Sequence, residues 1–203
     1  MGRILFGVIL GIVLLPVALL TWLHFGRVPV AVDDPRLPQE RLITHVPLDA
    51  RIQRELIKNP PIQVNEANLT AGAQIYADQC AACHGLYSKP SSFGEHMFPD
   101  APPLWQKHSN SDVVGVSDDP PGETYWKVKN GIRLSGMPSY QKVLTDTEMW
   151  QVSLLLANAD KQLPPNALYI LRGNPPVPLT TTTPASTPPT PPAAPVPGAA
   201  TPR

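Results

Sequence analysis

The sequence predicts a small all-α domain with long loops, carried between an N-terminal transmembrane helix and a disordered Pro/Thr-rich C-terminal tail. Three observations predict it. Residues 4–23, ILFGVILGIVLLPVALLTWL, carry no charge and suffice to cross a bilayer as one helix of ~20 residues. The middle of the chain shows apolar faces of helical period and helix-capping residues, but no convincing period-2 strand. From Asn174 to Arg203, 30 residues include 11 Pro and 7 Thr, too little apolar surface to offset the entropy of ordering. The resulting division is 1–26 anchor, 27–64 spacer, 65–163 folded domain and 164–203 tail.

The apolar N-terminal run follows Arg3, as a cleaved export signal also would. A cleaved signal has an apolar core of about 7–15 residues and small residues at the cleavage site. Here the run is longer, and TWLHFGRVPV follows with bulky side chains. Trp22 and Phe25 suit a membrane–water interface. An uncleaved anchor is therefore expected, and the signal peptide is the alternative.

The zero formal charge of the 203 residues conceals a split. Residues 65–163 hold 11 acidic and 7 basic side chains, a net −4. A mildly acidic domain lacks the basic face that nucleic acid requires, so no nucleic-acid partner is expected.

In the spacer, Leu48, Ile52 and Leu56 recur every fourth residue, predicting a short helix over 49–58 capped by Asp49 and stopped by Pro60 and Pro61. It is expected to pack as a strut on the main domain. The next helix runs from Glu66 to Cys80 with Asn65 as N-cap, and Gly72 on its apolar face admits a close helix neighbour. Another, Glu123–Asn130, ends at Gly131. In LTDTEMWQVSLLLANADKQLPP, Thr145 and Glu148 form a reciprocal capping box, and the helix they open stops by Pro164 and Pro165.

The only two cysteines stand in YADQCAACHGLY, with His84 directly behind Cys80-x-x-Cys83. A redox dithiol would expect a βαβ setting. A structural zinc site would expect a second ligand pair. A disulfide leaves His84 unexplained. Cys-x-x-Cys-His is the attachment signature of covalent haem: two thiols on one side of a helix end reach one porphyrin edge, and the next imidazole turns to the iron. A second axial ligand is expected downstream, and KNGIRLSGMPSYQ offers Met137 between Gly136 and Pro138, a flexible thioether on a stiffened loop. Its rivals are His96, Met97, His108 and Met149.

With these residues, the segment from about Asn65 to Leu163 resembles a class I cytochrome c. The matching stretches are AGAQIYADQCAACHG, FPDAPPLW, YWKVKNGIRLSGMPSY and LTDTEMWQVSLLLA, roughly half of the chain. The resemblance implies a small cytochrome c fold, three main helices and long loops around one haem c. It implies Cys80 and Cys83 as thioether attachments, His84 as proximal ligand and Met137 as distal ligand. It also implies that the first and last helices cross through Gly72 and Tyr76 against Trp150, and that a proline carbonyl, from Pro102 or Pro103, accepts the imidazole proton. Trp105 and Arg133 are candidates to reach the haem propionates.

Two filled axial positions leave no place for substrate, so no small-molecule substrate and no catalysis are expected. One-electron transfer between redox protein partners in or near the membrane is. A Met/His pair raises the potential. Haem attachment of this kind further implies the outer, periplasmic face of a bacterial cytoplasmic membrane. The alternatives are a cytochrome subunit of a larger oxidoreductase (a terminal oxidase or alcohol dehydrogenase), a haem enzyme or gas sensor, and a haem-free zinc or scaffold protein.

Overall fold

The computed structural model describes residues 1–175 and is helical throughout. Seven helices are present among the described residues: α1 Gly2–Phe25, α2 Glu40–Glu55, α3 Glu66–Gln79, α4 Ala81–His84, α5 Pro121–Asn130, α6 Asp146–Leu156 and α7 Pro165–Leu171, with a 3₁₀ turn at Gly94–His96. No strand occurs among them; the only extended pairings are isolated bridges, Leu86 with Lys89 and Lys107 with Val114.

Helix α1 has 24 residues and no buried side chain, and is long and apolar enough to cross a membrane. This supports membrane anchoring.

Helix α2 differs from the expected 49–58. It begins nine residues earlier, at Glu40, contains Pro47 and ends at Glu55. The expected face is the packed one: Ile52 is 1 % exposed, and Leu48 and Leu56 are half-buried. The helix lies on α5, where Trp126 Nε1 donates to Glu55 Oε2 at 2.7 Å. Arg51 pairs with Glu55 at 3.0 Å and lies over the Trp126 ring. The Trp126 hydrogen bond, with Arg51 adding to it, holds the Glu55 carboxyl below its usual value. Gly122 of α5 admits this approach, because a Cβ there would overlap the Ile57 carbonyl. The spacer's second half is thus fixed to the folded body. Ile52→Ala is expected to cost about 2–4 kcal/mol, measurable by thermal unfolding of the full chain. Ahead of α2, Arg36 lies 5.3 Å from the Phe98 ring centroid.

Helix α3 forms as expected: the Asn65 side chain accepts from Asn68 N at 2.8 Å. It crosses α6 at Gly72, where a Cβ would overlap the Gln151 carbonyl and stand 3.2 Å from Leu155 Cβ. As expected, Tyr76 of α3 and Trp150 of α6 are buried in one core where these helices meet. Tyr76 meets Trp105 edge-on at 5.4 Å, while Trp150 stacks on Tyr125 at 4.2 Å. Helix α5 lies against α6 and supplies the flat ring that Trp150 prefers.

Helix α5 starts at Pro121, two residues before the expected Glu123, with proline in its first turn. Helix α6 opens with the expected capping box: Thr145 N donates to Glu148 Oε2 at 2.7 Å, and Glu148 N to Thr145 Oγ1 at 3.3 Å. The Thr145 amide, and then its hydroxyl, hold the Glu148 carboxyl below its ordinary 4.5. Its contribution to stability is therefore present above that value and lost as pH falls through the lower folded-state value. Thermal unfolding of the wild type and Glu148→Gln should differ near neutrality and converge in acid.

The expected tail from 164 instead begins with structure. Pro165 occupies the first turn of α7, where its missing N–H costs nothing. Ala167, Ile170 and Leu171 are buried against α3. The prolines end no helix; α6 stops at Leu156. The Pro/Thr-rich stretch from 176 onward lies outside the described residues.

Candidate functional site

Cys80 closes α3, its N–H bonding Tyr76 O at 2.9 Å. One further turn, α4, then carries Cys83 and His84, with Cys83 N and His84 N both donating to Cys80 O at 3.1 and 2.9 Å. Gly85 follows at φ +77°, a conformation that glycine adopts without strain. Tyr76 Oη, buried, donates to Gly85 O at 2.7 Å and pins the end of this turn. Ser91 Oγ donates to Ala82 O, and Gly94 lies so close to the Cys83 carbonyl that a Cβ would overlap it.

The His84 imidazole is fixed through Nδ1, which lies 2.8 Å from Pro102 O. Of the two candidate prolines, Pro102 is the one in contact. The bond sets Nδ1 as donor, leaving Nε2 as the free lone pair. Burial lowers the His84 pKa, the Pro102 carbonyl opposing in lesser degree, so the neutral, ligating form prevails. Burial, with Cys83 beside it, pushes the Cys80 thiol up to about 12. The two cysteines are unbridged. No group of three or more His, Cys, Asp or Glu side chains suited to a metal occurs among the described residues.

Met137 reaches the same place from the other side. Residues 131–140 form a loop after α5, turned at Gly131 with φ +70°. There a Cβ would press on the Pro138 and Ser139 backbone at 2.7 Å. Ser135 organises the loop: its Oγ donates to Ile132 O at 2.7 Å and accepts from Met137 N at 3.2 Å. Tyr140 Oη donates to Gln79 O at 2.8 Å, joining the loop to the end of α3 beside Cys80. Leu134, exposed, takes φ +62°, an uncommon conformation for a branched side chain.

Cys80, Cys83, His84 and Met137 line one cleft, mostly apolar, as the linings of small-molecule and cofactor sites are. Met97 lines it too; the short path from His84 made it only a rival in the sequence, whereas the turn at Gly94–His96 folds it inward. The other rivals stand elsewhere. Met149 is buried within α6, His96 is exposed with Nδ1 at 2.7 Å from Ser92 O, and His108 is exposed. Trp105 is buried against Tyr76 with its Nε1 unpartnered, and is not among the residues that line the cleft. Arg133 is exposed.

No curated protein matches the chain. Residues 67–154, from the first turn of α3 into α6, match the family described as cytochrome C oxidase, cbb3-type, subunit III. An apolar cleft bearing two thiols, an imidazole and thioethers fits what such a domain holds, and this segment is a cytochrome c domain, helical and consistent with the monohaem class I kind; such a domain implies covalently bound haem c and haem-based electron transfer.

Proposed function

We propose that Cys80 and Cys83 carry the haem through thioether links, that His84 and Met137 are its axial ligands, and that the protein passes single electrons between redox proteins at the outer face of a bacterial cytoplasmic membrane. The observation that carries this reading is the meeting of the Cys80–His84 turn and the Met137 loop on one cleft. Bound there, haem c supplies a one-electron couple. Pro102 O orients the His84 ring and makes it more basic. The Gly131 turn and the Ser135 bonds stiffen the loop, so Met137 holds one position during a change of charge. The apolar lining excludes water. Residues 1–26 serve as anchor, and the folded unit extends from 65 through α7.

The test is made on full-length protein from a host that matures c-type haem. One porphyrin mass on the chain, a ferric far-red sulfur–iron band and a reduced form that resists carbon monoxide are expected. A colourless chain with free thiols overturns the reading.

A second reading, subunit of a terminal oxidase, is favoured by the family that residues 67–154 match. A carrier leaves mild detergent extracts alone; a subunit copurifies at fixed stoichiometry with a larger complex.

A further inference from the structure

The cleft contains a second thioether beside that of Met137. Met97 packs on Gly136, the residue just before Met137: its Cε fills the space where a Cβ would stand, and its Sδ lies 3.8 Å from that position. Gly136 is not among the glycines with positive φ. Its lack of a side chain answers to this neighbour, not to a backbone turn.

The Met97 side is itself anchored to the opposite wall. Met97 N donates to Gly94 O at 3.3 Å, and Ala101 N donates to the same carbonyl at 3.1 Å. Gly94 N donates to Ser91 Oγ at 3.0 Å, and Gly94 abuts the Cys83 carbonyl. A chain of contacts therefore runs from the Cys80–His84 turn through Gly94 and Met97 to Gly136 and the Met137 loop. That loop needs an outside brace. The bonds of Ser135 are internal to it; beyond its junction with α5, where Gly131 N donates to Lys127 O, the outward hydrogen bonds (Ser139 Oγ to Lys129 O at 2.6 Å, Tyr140 N to Val128 O at 3.0 Å and Tyr140 Oη to Gln79 O) all follow Met137.

We infer that Met97 is a positioning residue for Met137: its methyl fills the notch left by Gly136 and sets the distance between the loop bearing the distal thioether and the turn bearing the proximal imidazole. The inference rests on the reading of Met137 as axial ligand. Packed side chains with no room to spare transmit such a spacing, because a lost methyl leaves a gap that the neighbours close only in part.

The experiment compares full-length holoprotein in detergent as wild type, Met97→Ala, Met97→Leu, Gly136→Ala, the Met97→Ala/Gly136→Ala double and Met137→Ala. It reads haem content, the ferric far-red sulfur–iron band and the rate of carbon monoxide binding to the reduced form. Met97→Ala, which opens the notch, and Gly136→Ala, which collides with the Met97 methyl, should each weaken the band and speed carbon monoxide binding about tenfold, a coupling usual for side chains in contact. Leucine at 97 should rescue. The double variant should stand nearer to wild type than either single, its new Cβ taking the methyl's place. Additive effects, singles that leave band and rate unchanged, or a double no better than singles that fail to mature all overturn the inference. If Met137→Ala abolishes the band while the 97 and 136 variants do not, the ligand reading stands and the positioning role falls. If the band survives Met137→Ala and disappears in Met97→Ala, Met97 is the ligand and both readings fall.

Discussion

Gly72→Ala is expected to destabilise the domain, although alanine is the better helix former by about 1 kcal/mol. The two effects have opposite signs, so the measurement decides between them. At the α3–α6 crossing the added Cβ overlaps the Gln151 carbonyl, which is backbone inside a helix and has no rotamer by which to withdraw. Overpacking of this kind costs about 1–3 kcal/mol, and separating α3 from α6 also loosens α7, which rests on α3. Gly72→Val adds further atoms at the same point, and its cost is of the order of the roughly 5–15 kcal/mol that holds a domain folded. Thermal unfolding followed by helical circular dichroism should show a lower midpoint for alanine and little or no folded holoprotein for valine. A raised midpoint for alanine would mean that propensity wins and that the crossing has slack.

Met137→Ala is expected to change ligand chemistry while leaving the fold in place. Met137 is half-buried at the cleft, packed on the edge of the core and not within it, so truncation leaves the fully buried residues in place. The internal bonds of the loop engage its backbone and Ser135, not the Met137 side chain. Haem content and helicity should remain close to wild type. The ferric far-red band should vanish, the reduction potential should fall with loss of the thioether, and carbon monoxide binding should go from slow to rapid and stoichiometric. Retention of the band would remove Met137 from the ligand set.

The parts legible in the sequence are those written in short-range chemistry. Asn65 bonds an amide three residues on, as do Thr145 and Glu148 reciprocally, and such patterns need no knowledge of the rest of the chain. The site was legible for the same reason, since Cys80, Cys83 and His84 share one turn and Met137 lies in a Gly-Met-Pro loop. Two boundaries were misplaced. The first half of α2, which holds Pro47, was assigned to spacer, and Pro165 looked like a stop when it occupies a first turn. In both, burial of a few apolar side chains against a distant helix outweighs the local signal. Partner choice was equally hidden: Tyr76 pairs with Trp105 and Trp150 with Tyr125 because of how three helices come together. Met97 beside Gly136 is of this kind, 39 positions apart in the chain and in contact in the fold.

The docking of α2 on α5 alters how the molecule can roam. Were everything from Gly26 to Val64 slack, a coil of that length would wander about 35 Å from its mooring; with α2 clamped, only the 14 residues from 26 to 39 remain to pay out, about 20 Å. Arg36 against Phe98 takes up part of even that. With residues 1–26 as anchor, so short a leash keeps the body close to the bilayer surface, and it travels along that surface only together with its anchor.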